Sequence, residues 1–258
     1  MIGLGLENKT VIVTGAARGI GQHYCLGFAQ AGANVVAADI MDVEDTLQKI
    51  AATGSKAQGV RVDVTSFSSC AQMVDKTVQQ FGHVDVLVNN AALYGGLKGY
   101  GSFMDIAEDE WDQVMQINVK GVWNCVKAVA PVMGKAQYGK IVNISSATIL
   151  MGIPGILHYV TSKGAIFAMT RSLSRELGPL GIRVNTLAPG LTMSQASQDL
   201  LAAAGMGDAI TQQLASQAAL GREEQPEDLV GTALFLASPL SDFMTGQMVN
   251  VDGGLINW

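Results

Sequence analysis

Charged residues, cysteines, histidines and long apolar runs are all scarce in this chain. Asp, Glu, Lys and Arg make up 15% of its 258 residues, against about 25% in an average soluble domain. No run of 18 apolar residues occurs, so a membrane-spanning helix is not expected. The net charge is -6 and the basic residues form no cluster. This charge balance argues against nucleic acid and anionic membrane surfaces as partners.

The few cysteines and histidines restrict the chemistry further. Cys25, Cys70 and Cys125 lie far apart and are odd in number, and the three histidines are equally scattered. These spacings fit neither a disulfide framework nor a set of metal ligands, so we expect no metal site. The N-terminal segment is too short, and reaches an acidic residue too early, to be a signal peptide. Together these features predict a reducing, cytoplasmic location.

Apolar residues are abundant by contrast. They make up 48% of the chain, and the mean hydropathy is +0.27. Because no membrane span accounts for this apolarity, we expect faces that are buried between subunits, and therefore a homo-oligomer.

The chain alternates short β-branched runs with longer helical patterns, which is typical of βαβ units and a parallel sheet. The predicted strands are Thr10–Val13, Ala33–Ala38, Ala57–Val62, Val84–Val88, Lys140–Ile144, Ile182–Leu187 and Gln247–Val251. The predicted helices lie near 20–31, 43–53, 66–81, 108–133, 158–177 and 226–237. No linker or repeat divides the chain, so residues 1–258 are predicted to form one α/β domain. The segment at about 193–220 interrupts the alternation and is predicted to be a substrate lid.

A glycine-rich turn follows the first predicted strand. Gly15 would permit a tight turn, Gly19 a close backbone approach to a pyrophosphate, and Gly21 close packing of helix on strand. The predicted cofactor-binding residues in this turn are Gly15, Arg18, Gly19, Ile20 and Gly21. Such turns are common, and a plain strand-to-helix turn is the alternative.

Asp39 favours a dinucleotide over that alternative. It ends the second predicted strand 18 residues after Gly21, where a carboxylate can accept hydrogen bonds from a ribose diol. A negative charge there also repels a 2′-phosphate. Arg18 would attract a phosphate, but Ile40 adds no second cation. The sequence therefore predicts NAD rather than NADP as the cofactor.

Polar residues also end the third and fourth predicted strands. Asp63 and Val64 follow the third strand, and Asn89, Asn90 and Ala91 follow the fourth. The carboxyl ends of parallel strands are where an open α/β sheet binds ligands, so Asp63, Val64, Asn90 and Ala91 are further candidates for cofactor binding. Asp63 could instead cap the next helix, and the asparagines could simply form turns.

Tyr159 precedes Lys163 by four residues within a predicted helix. This spacing places both side chains on one face. A phenol has a pKa of about 10, and a cation roughly 4–5 Å away could lower that pKa by roughly 2–3 units. A tyrosine tuned in this way could exchange a proton with an alcohol or ketone. The same spacing recurs at Tyr94 and Lys98, but surrounding glycines argue against a helix there.

These residues, taken in order, resemble the short-chain dehydrogenase/reductase family. The matching motifs are Thr14-Gly15-xxx-Gly19-Ile20-Gly21, Asn89-Asn90-Ala91, Asn118, Ser146, Tyr159-xxx-Lys163, Pro189-Gly190 and Val251-Asp252-Gly253-Gly254. The resemblance spans practically the whole chain. It implies a single doubly wound (Rossmann) domain with a seven-stranded parallel sheet and helices on both faces, nicotinamide chemistry, and frequently a homotetramer.

The resemblance also implies roles for the catalytic residues. Ser146 would hold the substrate oxygen, and Tyr159 would exchange the proton. Lys163 would lower the phenol pKa and bind the ribose hydroxyls of the nicotinamide half, and Asn118 would hold a water that relays protons. Ser145 competes with Ser146, but the family's spacing to the tyrosine selects Ser146.

Two positions depart from the family's commonest pattern. Ala92 replaces the glycine that usually follows Asn-Asn-Ala. After Pro189 and Gly190, the threonine that usually follows is represented either by Thr192 or by Ser194. Pro189, Gly190 and Thr192 are taken as cofactor-binding residues, with the choice between the two hydroxyls left open.

The candidate substrate residues suggest a secondary alcohol or ketone that is neutral and either apolar or aromatic. They are Tyr94, Ser146, Leu150, Ile156, Tyr159 and Met193. The stretch between Arg183 and Arg222 contains no cation that could hold a charged substrate. The apolar residues could instead pack a lid or a subunit interface. Two other functions stay open: a 3-oxoacyl thioester reductase using NADPH, and a non-catalytic nucleotide-binding regulatory protein.

Overall fold

The computed structural model describes residues 3–95, 97 and 100–256. Its strands are β1 (Thr10–Thr14), β2 (Asn34–Asp39), β3 (Ala57–Arg61), β4 (Val86–Asn89), β5 (Gly139–Ile144), β6 (Ile182–Pro189) and β7 (Met248–Val251). Its helices are α1 (Gly19–Gln30), α2 (Glu44–Ala51), α3 (Phe67–Phe81), α4 (Glu108–Met115), α5 (Gly121–Ala136), α6 (Thr148–Met151), α7 (Leu157–Leu177), α8 (Gln195–Ala203), α9 (Asp208–Gln217) and α10 (Pro226–Ala237).

The seven strands form one parallel sheet in the order β3-β2-β1-β4-β5-β6-β7. The register brings Thr14 opposite Ala38 on one side of β1, while Val13 pairs with Val88 of β4 on the other side. The order of the strands therefore reverses between β1 and β4. In open α/β sheets, the crevice at such a reversal is where ligands bind.

Helices cover both faces of the sheet, because its strands carry apolar side chains in both directions. Val11 and Val13 of β1 pack into the cluster formed with α1 and α10. Ile12, between them, packs into the opposite cluster with α3, α5 and α7. This alternation follows from the two-residue period of a strand. The predicted doubly wound α/β fold is confirmed.

Local signals set several helix ends. The Ser66 side chain accepts the N–H of Ser69 and caps α3, which ends at Gly82 in the left-handed conformation. At α10, Gln225 and Asp228 form a reciprocal capping box. Ser66 thus takes the capping role that was the alternative for Asp63.

Two predicted segments differ in detail from the structure. The predicted helix at 108–133 is interrupted by a single π-helical turn, Gln116–Lys120, between α4 and α5. The predicted lid segment at about 193–220 contains two helices, α8 and α9.

Candidate active site

A cavity of about 1130 Å³ opens at the carboxyl ends of the strands, beside the reversal between β1 and β4. All fifteen predicted cofactor-binding residues line it: Gly15, Arg18, Gly19, Ile20, Gly21, Asp39, Asp63, Val64, Asn90, Ala91, Tyr159, Lys163, Pro189, Gly190 and Thr192. They come from the ends of β1, β2, β3, β4 and β6, from the start of α1 and from α7. The parallel sheet is what brings these distant positions together.

The glycine turn is shaped by close backbone packing. Gly15 has φ +67°, and a Cβ atom there would lie 2.8 Å from Cα of Ala91. A Cβ atom on Gly21 would lie 2.0 Å from the Gly15 carbonyl oxygen. Among the described residues, no side chain caps the amino end of α1. The free N–H groups and the dipole of this helix end fit a diphosphate.

The turn is held to β4 by Thr14 and Asn90. The Thr14 hydroxyl oxygen accepts the N–H groups of Asn90 and Ala91, each at 3.1 Å. Asn90 Nδ2 donates to the carbonyl oxygens of Thr14 at 3.0 Å and Gly15 at 3.1 Å. These hydrogen bonds therefore fix the glycine turn against the end of β4. Thr14 was not among the predicted site residues, because its role depends on the pairing of β1 with β4.

Asp39 is half-buried on the cavity wall and is held in place by two backbone donors. Its carboxylate accepts the N–H of Ala17 and the N–H of Met41, each at 2.9 Å. Arg18 extends toward α8, where Nη1 lies 4.0 Å from Oδ2 of Asp199. Both partners of this pair are about half exposed, so the pair contributes little stability.

Asp63 and Val64 form a second polar turn on the same wall. The Asp63 carboxylate accepts both the N–H and the hydroxyl of Thr65, at 2.9 and 2.7 Å. The carbonyl oxygen of Val64 accepts a hydrogen bond from Asn124 of α5 at 2.9 Å. These bonds fix a turn that faces the same cavity as Asp39.

Ser146, Tyr159 and Lys163 meet at the inner end of the cavity, and all three are buried. The Ser146 side chain is close enough to the Tyr159 hydroxyl to affect its pKa. Ser145, its competitor, instead donates to the Lys163 carbonyl oxygen at 2.8 Å. Lys163 Nζ lies 5.6 Å from the centre of the Tyr159 ring and donates to the Ile144 carbonyl oxygen at 2.9 Å. The helical spacing thus places both side chains on the cavity side of α7.

The protonation of this group differs from the expectation. Burial raises the pKa of Tyr159 above its ordinary value, and the neighbouring Ser146 hydroxyl only partly opposes that effect. Burial also lowers the pKa of Lys163 to about 8. The expected fall in the phenol pKa is therefore wrong for the protein alone, because desolvation of both groups outweighs the attraction of an ammonium at this distance.

Asn118 lies in the π-helical turn, is buried, and does not line the cavity. Its Oδ1 accepts the N–H of Leu93 at 2.7 Å. Its Nδ2 donates to the Leu93 carbonyl oxygen at 3.2 Å and to the Ser162 hydroxyl at 3.1 Å. The side chain therefore ties the loop after β4 to α7, and the water relay at Asn118 stays a prediction.

Only part of the predicted substrate set faces the cavity. Tyr94 does, and its ring centre lies 4.8 Å from that of Tyr159. Leu150, Ile156 and Met193 do not line it. Ile156 is fully buried beneath Tyr159, and Met193 lines a separate small cavity. Lys98, the partner of Tyr94 in the second spacing match, lies outside the described residues.

Other apolar residues form the outer wall in their place. They are Met151, Ile153, Met206, Ile210, Leu214 and Leu255. Met151 faces the cavity while Leu150 does not, because one residue along a helix turns a side chain by about 100°. The sequence points to these apolar segments, but which of their faces turn inward depends on the fold.

The segment after β6 contains the two competing hydroxyls. Ser194 caps α8 by accepting the N–H of Ser197 at 3.3 Å. The Thr192 hydroxyl donates to Oε1 of Glu224 at 2.5 Å, and the Gly190 N–H donates to Oε2 at 3.1 Å. Glu224 was not predicted, since it lies 32 residues from Thr192 and belongs to no recognised motif.

Two further features bear on the class of protein. Among the residues that the structure describes, no group of three or more His, Cys, Asp or Glu side chains is arranged to hold a metal ion. None of the described helices is long and apolar enough to cross a membrane.

Comparison with known protein families gives a match over residues 15–256 to the family described as enoyl-(acyl carrier protein) reductase. Among curated proteins, the chain is 37% identical over 253 residues to a 3-oxoacyl-acyl-carrier-protein reductase FabG of Thermotoga maritima, covering 97% of this chain and 99% of that protein. It is 38% identical over 256 residues to the protein of the same name from Chlamydia muridarum, covering 97% and 98%.

Solved structures agree with these relatives. A putative short-chain alcohol dehydrogenase from Sinorhizobium meliloti superposes with a TM-score of 0.88 at 31% identity, covering 98% of each chain. A short-chain type dehydrogenase/reductase from Mycobacterium marinum gives 0.85 at 31% identity, covering 98% of this chain and 96% of that one. Fold, motif order and relatives agree, and the chain belongs to the short-chain dehydrogenase/reductase family.

Proposed function

We propose that this oxidoreductase transfers a hydride between a nicotinamide dinucleotide and the carbon of a ketone or secondary alcohol. The observation that carries the proposal is the meeting of Ser146, Tyr159 and Lys163 beside the glycine turn in one cavity. The dinucleotide, when bound, supplies or accepts the hydride at its nicotinamide ring. The residues of the chain then have to manage the proton on the substrate oxygen.

Tyr159 and Ser146 are the residues proposed to do this. Because burial raises the pKa of Tyr159, its hydroxyl is protonated at neutral pH and suits donation to a ketone oxygen during reduction. Ser146 is placed to donate to the same oxygen. Lys163, with a pKa of about 8, is largely charged at neutral pH, and we propose that it binds ribose hydroxyls and compensates negative charge on the phenolate in the oxidative direction.

NAD remains the proposed cofactor. Asp39 presents a half-buried carboxylate to the cavity, and its neighbours there, Ile40 and Met41, are uncharged. A ribose diol can donate to this carboxylate, whereas a 2′-phosphate would be repelled by it.

Two substrate classes are candidates, and the named relatives reverse the preference that the sequence indicates. Proteins named 3-oxoacyl-acyl-carrier-protein reductase match nearly the whole chain at 37% and 38% identity. This favours a 3-oxoacyl thioester, the alternative that the sequence leaves open. The earlier preference, a neutral apolar or aromatic alcohol, is supported by the apolar outer wall and by Tyr94 against Tyr159. Both substrates place a ketone or alcohol oxygen at the same catalytic group.

One assay distinguishes these proposals. NADH and NADPH oxidation should be followed by absorbance with acetoacetyl thioester and with acetophenone, on the native chain and on Tyr159→Phe. Turnover of either ketone that Tyr159→Phe loses supports hydride transfer, and the ratio of the two kcat/KM values selects the substrate class. Binding of dinucleotide without any turnover across a wider panel of ketones would instead favour the regulatory protein.

We also propose a homotetramer in the cytoplasm, with the segment at about 193–220 acting as a lid. Helices α8 and α9 of that segment contribute Leu201, Ile210 and Leu214 to the cavity wall, as a lid would. No disulfide joins Cys25, Cys70 or Cys125, although the sulfurs of Cys70 and Cys125 lie 3.7 Å apart, and free thiols fit a reducing location. Light scattering that shows only monomer at micromolar concentration would contradict the oligomer.

A further inference from the structure

Glu224 lies just before α10 and makes three contacts with the segment that follows β6. Its carboxylate accepts the N–H of Gly190 and the hydroxyl of Thr192, at 3.1 and 2.5 Å. Its carbonyl oxygen accepts the N–H of Met193 at 2.8 Å. One residue thus holds this segment by both its side chain and its backbone.

The carboxyl group lies behind the segment, away from the candidate active site. Gly190 and Thr192 line the large cavity, whereas Glu224 lines a small cavity of about 180 Å³ on the other side. The packing is close, since a Cβ atom on Gly190 would lie 2.9 Å from Oε2 of Glu224. Glu224 can therefore act on a bound molecule only through the segment.

The charges around Glu224 are mostly negative. Asp252 follows β7, Asp228 belongs to α10, and Glu223 lines the same small cavity. Arg222 is the cation among these lining residues, but it is engaged with both carboxylate oxygens of Asp228 at 2.6 and 2.7 Å.

Tyr24 of α1 is an uncharged titratable neighbour of this group. Burial raises the pKa of Glu224 to about 7, and Asp228 and Asp252 add to the effect, while the bonds from Thr192 and Gly190 oppose it. The group can therefore change its ionisation near neutral pH.

We propose that Glu224 is a positioning residue for the dinucleotide. Its ionised carboxylate accepts a hydrogen bond from the Thr192 hydroxyl, so the hydroxyl oxygen is left as an acceptor toward the cavity. The inference rests on the proposed function and takes this segment to contact the nicotinamide carboxamide of the bound dinucleotide. Protonated Glu224 can donate to Thr192, which turns the hydroxyl proton toward the cavity and toward the carboxamide N–H donors. Dinucleotide binding should then weaken as pH falls through the titration of Glu224.

The test measures the dissociation constant of NADH by fluorescence at several pH values from about 5.5 to 8. It uses the full native chain and three variants. Glu224→Gln should act like the protonated acid, since its carbonyl oxygen can accept from Gly190 and its amide can donate to Thr192. We expect the native chain to bind NADH about tenfold more tightly at the high end of the range. Glu224→Gln should bind weakly at every pH and match the native chain at low pH.

Glu223→Gln is the matched control, since it removes the same charge one residue away and should keep the native profile. Thr192→Val provides a second measurement should Glu224→Gln fail to fold, and its profile should also be flat. The proposal would be overturned if NADH binding by Glu224→Gln or by Thr192→Val changed with pH as it does in the native chain. It would also be overturned if NADH binding by Glu223→Gln did not change with pH. If the native chain bound neither NADH nor NADPH, the proposed function would fail together with this inference.

Discussion

Replacing Asp39 with asparagine should move the cofactor preference toward NADPH by about 30-fold. A 2′-phosphate about 5 Å from the Asp39 carboxylate would be repelled by about 0.8 kcal/mol per unit charge in water and about 3 kcal/mol at an effective dielectric of 20. Asp39 is half-buried on the cavity wall, so an intermediate value of about 2 kcal/mol applies. One factor of ten corresponds to about 1.4 kcal/mol.

The variant also loses part of a structural contact. The asparagine oxygen can replace only one of the two acceptors that now bond the N–H groups of Ala17 and Met41. We expect a loss of about 1–2 kcal/mol in the free energy of unfolding. A thermal melt should therefore accompany the kinetic measurement.

The assay is the ratio of kcat/KM for NADPH to that for NADH, measured at one fixed ketone concentration. Asp42→Asn is the matched control, because Asp42 is exposed, accepts the nearby N–H of Glu44 at 2.9 Å, and is not among the described residues that line the cavity. An Asp39→Asn ratio within twofold of the native ratio would refute the reasoning. So would an equal shift in Asp42→Asn.

Three further outcomes follow from the site. Tyr159→Phe should lower kcat by about 10²–10⁴-fold while NADH binding persists, and kcat within tenfold of native would remove Tyr159 from its proposed role. Gly21→Ala should lower the free energy of unfolding in urea by about 1–3 kcal/mol, because its Cβ would lie 2.0 Å from the Gly15 carbonyl oxygen; Gly231→Ala, which meets nothing within 4 Å, should instead raise it by about 0.5–1 kcal/mol. Lys163 has a folded pKa of about 8 against an ordinary 10.5, so between these values the unfolded chain binds more protons and stability rises with pH. Between pH 8 and about pH 9.5, the free energy of unfolding of the native chain should rise by about 1.5–2 kcal/mol relative to that of Lys163→Met. Parallel plots of unfolding free energy against pH for the two proteins would contradict a buried charge at Lys163.

The behaviour of Tyr159 shows why proximity alone did not predict its pKa. The spacing to Lys163 correctly places the two side chains on one face of α7, 5.6 Å apart from Nζ to ring centre. Both groups are buried, however, and burial disfavours the charged form of each. A lowered phenol pKa therefore requires additional positive charge, which the oxidised nicotinamide would supply in the complex.

The sequence by itself determined the parallel α/β architecture, the strand and helix order, and fifteen residues that line the main cavity. These depend on local rules, since apolar periodicity selects strand or helix, and glycines such as Gly15 and Gly21 mark the turn that the backbone must make. The parallel sheet then brings every strand end to the same edge.

Only the tertiary structure decided which hydroxyls and carboxyls act together. It directs Ser145 toward the backbone of Lys163, engages Asn118 with Leu93, and brings Glu224 to Thr192. It also turns Ile156 and Met193 away from the main cavity. These outcomes depend on contacts between residues far apart in the chain and on the loss of water around them. A local sequence pattern specifies neither of these.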